Sequence, residues 1–132
     1  MQIRFAYRWD NPEKTILRYT AKDGWTWRDY HACARIATLM LTPREPLIDV
    51  VIDLSSGGRL AAVLGAHSRT FGKRLSAALS GRAVVVGVSD EAVNTLLPDG
   101  TRLLPTEDGQ VYFAASEADA LAQLAAWREI QP

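Results

Sequence analysis

Residues 48–58 read Ile-Asp-Val-Val-Ile-Asp-Leu-Ser-Ser-Gly-Gly. The β-branched centre of this run does not alternate with polar residues, so both faces of the strand it forms must be covered. It empties into a Ser-Ser-Gly-Gly turn, and an Ala/Leu-rich segment follows directly. That is how a buried parallel strand hands the chain to a helix. In open α/β sheets the turns at such carboxyl ends are where ligands and partners are met.

The rest of the chain fits around that strand. Ile3 to Arg8 alternates, Asp10-Asn11-Pro12 marks a turn, and Thr15 to Thr20 reads as a second strand, which together predict an antiparallel hairpin. Thr26 and Asp29 have the spacing of a capping box, with Trp25 and Tyr30 placed as a hydrophobic staple. A helix is predicted from about Trp27 to Leu41, ending before Pro43. The central strand runs from about Ile48 to Leu54. Asp49 at its start is expected to face solvent, whereas Asp53 near its end needs water or a hydrogen-bonding partner.

Beyond Gly58, Leu60, Ala61, Val63, Leu64, His67 and Phe71 fall on helical stripes and predict a second helix, weakened by Gly65 and Gly72. Lys73 to Leu79 reads as its continuation or a separate turn. Arg82 to Val88 is another buried strand. Ser89 caps a short helix that Leu97-Pro98-Asp99-Gly100 stops, and Thr101 to Gln110 reads as loop with a short apolar anchor at Leu103-Leu104. Val111 to Ala115 is a last strand, and Ser116 caps a last helix. The expected fold is a single α/β domain over residues 1–132: a mixed, mostly parallel sheet of about five strands with about four helices.

Composition narrows the functional classes. Lys+Arg and Asp+Glu are both 15 in 132 residues, a formal net charge of zero. Nucleic acid is not an expected partner, because phosphate binding needs clustered basic charge. The same balance gives little protection against self-association, so a homodimer is expected. The single cysteine, Cys33, allows no internal disulfide and no cysteine-based zinc site. No signal pattern and no run of membrane-spanning length is present, so the expectation is a cytoplasmic protein without membrane insertion.

This order of elements, with Val50-Val51-Ile52-Asp53-Leu54-Ser55, the Ala62-Val63-Leu64-Gly65 segment, Arg82 to Ser89, and Val111-Tyr112-Phe113 followed by Glu117 to Leu121, resembles the SpoIIAA-like or STAS-type domains. These include anti-sigma-factor antagonists and STAS/Sec14-like bacterial proteins. The resemblance spans most of the chain as element order, on motifs of low specificity. It implies a regulatory, non-enzymatic domain in which a serine of an Asp-Ser-Ser-Gly turn is phosphorylated by a partner kinase. Ser55-Ser56-Gly57 is similar to that turn, with Leu54 inserted after Asp53. Aligning on Val63-Leu64-Gly65 instead puts Gly57 and Gly58 at the serine positions.

Ser55, Ser56, Gly57 and Gly58 are therefore the candidate phosphorylation or partner-binding residues. Free N–H groups there could cradle an anion, and an ordinary strand-to-helix turn explains the same residues. His31 and His67 fall on different predicted helices and read as ordinary helix histidines. Cys33 reads as a small packing residue. Trp9, Trp27 and Arg69 are candidate interface anchors. No catalytic constellation, metal site or cofactor is expected. A small apolar-ligand carrier of Sec14-like type is the alternative, and an enzyme built on the same turn is a third reading.

Overall fold

The computed structural model describes residues 3–39, 41–56, 60–61 and 64–130. The expected hairpin forms from β1 (Phe5–Trp9) and β2 (Ile16–Ala21), paired antiparallel. Asn11 wires its turn: the side-chain oxygen accepts from the N–H groups of Thr15 and Ile16 at 3.0 and 3.1 Å. The capping box also forms. Thr26 N–H donates to Asp29 Oδ2 at 2.8 Å and Asp29 N–H to Thr26 Oγ1 at 3.2 Å, opening α1 (Trp27–Leu39). Trp25 and Tyr30 both pack edge-on against Phe5, which fixes the helix start on the hairpin.

β3 (Ile48–Asp53) lies between β2 and β4 (Leu79–Val86), parallel to both. After α2 (Asp90–Leu96) come β5 (Leu103–Pro105), β6 (Gln110–Phe113) and α3 (Glu117–Ile130). The sheet order is β1-β2-β3-β4-β6-β5. Four parallel strands form its centre, and β1 and β5 close its edges antiparallel. Successive strand residues point to opposite faces. Val50, Ile52, Ala83 and Val85 pack with α1 on one side, while Val51, Val84 and Val86 pack under Leu124 and Trp127 of α3 on the other. A strand so placed has no wet face, which is why Ile48 to Ile52 carries no alternation.

Three expectations are corrected. Among the described residues the α/β sheet has six strands and three helices, not about five and four. The additional strand is β5, which the polar flanks of Leu103-Leu104 disguise as loop. The predicted second helix is absent from residues 64–78, where one 3-10 turn (Ser68–Thr70) is the only helical element. Gly72 sits at φ +73°, a conformation that ends a helix, and Thr70 Oγ1 bonds back to the His67 carbonyl at 2.6 Å. Asp49 is fully buried rather than solvent-facing. Its Oδ1 accepts from Arg82 Nε at 3.0 Å and from Ser80 Oγ at 2.5 Å, and its Oδ2 lies 3.2 Å from Arg128 Nε. Strand periodicity cannot reveal a cation supplied from a neighbouring strand.

Candidate functional site

Ser55 and Ser56 are exposed at the carboxyl end of β3. Gly57 and Gly58, the other two candidates, lie outside the described residues. The N–H of Ser55 is not free to cradle an outside anion, because Asp53 Oδ1 accepts it at 2.9 Å. Leu54 N–H donates to the Val86 carbonyl at 2.9 Å, continuing the β3–β4 ladder to the edge of the turn. Gly87, at φ +88°, makes room for the turn: a Cβ there would lie 2.3 Å from Ser55 N.

Asp53 ties this turn to a charged group that sequence reasoning missed. Its other oxygen, Oδ2, accepts from Arg18 Nη1 at 3.2 Å. Arg18 Nε also donates to Asp10 Oδ1 at 2.7 Å, and its two Nη atoms grip Glu117 at 2.8 and 2.9 Å. One nearly buried guanidinium thus joins the first hairpin, the end of β3 and the first turn of α3. Burial works against its charge, yet the hydrogen bonds and charges of Glu117 and Asp10 outweigh that and hold it more firmly protonated than a free arginine. With Arg8 only 3.8 Å from Asp10, three carboxylates face two guanidiniums, and Glu117 remains 54% exposed. The cluster beside the serine turn is thus one charge negative, with Arg8 and Glu117 as its exposed members. The sequence carried one signal for it, the need of Asp53 for a partner.

The other end of α3 is pinned by the buried Asp49 and Arg82 together with the partly exposed Arg128. Arg82 donates to the Trp127 carbonyl at 3.3 Å, and Arg128 to the carbonyls of Thr15 and Leu47 at 3.0 and 2.7 Å. Cations at a helix carboxyl end and an acid in its first turn both suit the helix dipole. α3 is thereby clamped to the sheet at both ends.

On the opposite face the two histidines meet. His31 Nε2 lies 3.0 Å from His67 Nδ1, and the His67 ring stacks on Trp27 with centroids 4.3 Å apart. His31 lies on a helix as expected, whereas His67 sits in a segment that is not an α-helix, and the pairing links the two. Burial, then His67, then Arg35 hold the His31 pKa below its usual 6.5. Cys33 is buried and its thiol is pushed up to about 12, far from a nucleophile's range. Among the described residues no group of three or more His, Cys, Asp or Glu could hold a metal ion. Nor is any helix among them long and apolar enough to cross a membrane.

The three interface candidates do not converge. Trp9 is half-buried at the end of edge strand β1 under the Arg44 guanidinium, 5.9 Å from the ring centroid. Arg69 is exposed and donates to the Pro105 carbonyl in β5, at the opposite edge of the sheet. Trp27 is committed to the aromatic cluster with Trp25, Tyr30 and His67. No family model, no curated protein and no solved structure matches this chain.

Proposed function

We propose that this chain is a non-enzymatic regulatory domain of the SpoIIAA-like type, cytoplasmic, which engages a protein partner at the turn beginning with Ser55. The partner is another protein or a second copy of the chain. The observation that carries this reading is the path from Ser55 through Asp53 and Arg18 to Glu117. Two exposed hydroxyls stand at the end of the central strand, beside a charged cluster that exposes both Arg8 and Glu117 to a partner. A charge added to Ser55 or Ser56 meets the carboxylate already holding the turn, so it acts by displacing Asp53 rather than by filling an empty cradle. The link to Glu117 carries that displacement to the start of α3.

A second reading, the small apolar-ligand carrier, rests on a recess of about 440 Å³ beside α3, lined by Ile16, Pro46, Leu121 and Leu124 with Arg128 among its polar residues. Native mass spectrometry of the purified chain separates the two. The interaction reading expects protein complexes whose abundance falls in Ser55→Asp or Ser56→Asp. The carrier reading expects a retained small molecule that Leu121→Arg releases.

A further inference from the structure

A recess of about 240 Å³ lies between α1 and the irregular segment that carries the 3-10 turn, lined by Tyr30, His31, Arg35, Thr70, Lys73 and Leu75. Its charge is one-sided. Arg35 and Lys73 supply two cations, no carboxylate lines the recess, and among the described residues no ion pair reaches either of them. Arg18, Arg82, Arg102 and Arg128 have carboxylates within 3.2 Å, whereas Arg35 and Lys73, like Arg4, Lys22 and Arg28, are exposed and carry no ion pair among the described residues.

We propose that this recess binds a small oxyanion, a phosphate, sulfate or carboxylate group on a compact body, held by Arg35 and Lys73 with the His31 imidazolium as a further donor. The volume corresponds to about eight waters at ~30 Å³ each, room for an oxyanion and a few further atoms. Tyr30 and Leu75 give it an apolar wall, while the Thr70 hydroxyl proton is already donated to the His67 carbonyl, which leaves the cations and His31 as the donors. The site is separate from the serine turn and acts independently of how that turn is used.

The histidine pair makes binding pH-linked. One N–H bridges His31 Nε2 and His67 Nδ1, so the contact tolerates one added proton and not two. Protonated His31 keeps a second N–H, at Nδ1, that His67 does not use. The charged and titratable groups around His31 are Arg35 and Tyr30 on α1 and His67 and Lys73 on the packed segment. Burial, then His67, then Arg35 oppose its protonation, and an anion in the recess relieves the part owed to charge. By linkage, affinity rises as pH falls through the His31 midpoint, and bound anion raises that midpoint.

The test is an NMR titration of the histidine ring protons with sulfate, whose charge is constant from about pH 5 to about pH 8, and in parallel with acetate, both against chloride at matched ionic strength. Saturable shifts at His31 are expected, with affinity several-fold higher at the acid end. Arg35→Gln with Lys73→Gln should weaken binding about tenfold or more, equivalent to ~1.4 kcal/mol, while Lys22→Gln changes nothing. The tighter of the two anions assigns the ligand chemistry. Shifts that never saturate, or that persist equally in the Arg35→Gln, Lys73→Gln variant, mean general screening only and overturn the proposal.

Discussion

Arg18 and Glu117, 99 positions apart in the chain, meet in a two-point contact, Nη1 to Oε1 at 2.8 Å and Nη2 to Oε2 at 2.9 Å. The two ends of this contact differ in exposure, since the arginine side chain is 7% exposed and the glutamate 54%. Removing one should therefore not equal removing the other. Arg18→Met leaves Asp10, Asp53 and Glu117 facing one another and should cost about 2–3 kcal/mol, less than the ~3–5 typical of a wholly buried pair. Glu117→Gln should cost under about 1 kcal/mol. Urea denaturation measures both, and equal losses would show that Arg18 is not the hub.

Gly87 and Gly100 both sit at positive φ, +88° and +84°, in different surroundings. A Cβ at Gly100 meets open space, so Gly100→Ala should lose only the left-handed backbone cost of about 1–2 kcal/mol. At Gly87 the same Cβ meets Ser55 N at 2.3 Å and Leu54 C at 2.6 Å, both backbone. Gly87→Ala should cost more, and amide resonances of residues 54–56 should shift with it. The comparison of melting curves reads how firmly β4 seats the serine turn.

The parts of the fold that the chain announces are those written in adjacent residues. Asn11 and the Thr26–Asp29 pair act over a few positions, so the hairpin and α1 are legible. β3 is legible because Val50, Val51 and Ile52 lack alternation. What escapes a linear reading depends on partners far away. Asp49 is buried because Arg82 arrives from β4, and His31 meets His67 36 positions later. The segment after Ser55 misleads for a different reason. Leu64 and Phe71 are spaced as on a helix, but both pack into the core from residues 64–72, which Gly72 turns without forming an α-helix.

The His31 pKa is lowered in the folded protein, so the unfolded chain takes up the proton first. The stability His31 contributes is thus complete above its unfolded pKa of about 6.5 and is lost as pH falls through the lower, folded value. Wild type should lose more stability than His31→Gln on going from about pH 7 to about pH 5. Denaturation curves of the two proteins across that range provide the check, and parallel pH profiles would contradict the assignment.

Cys33 lies on the buried face of α1 with its thiol pushed up to about 12. Iodoacetamide at about pH 8 should leave the native protein unmodified and alkylate it fully in denaturant. Mass spectrometry gives the result directly, and rapid labelling of the native form would place the thiol in an accessible setting.

The central claim, that the turn beginning at Ser55 is the face a protein partner meets, is tested most directly by site-specific photocrosslinking in the host cell. A photoreactive residue at Ser56 should give one dominant protein adduct, weakened when Asp53→Asn loosens the turn, whereas the same residue at Ala122 on the exposed side of α3 should give none. Equal adducts from both positions, or none from Ser56, would contradict it.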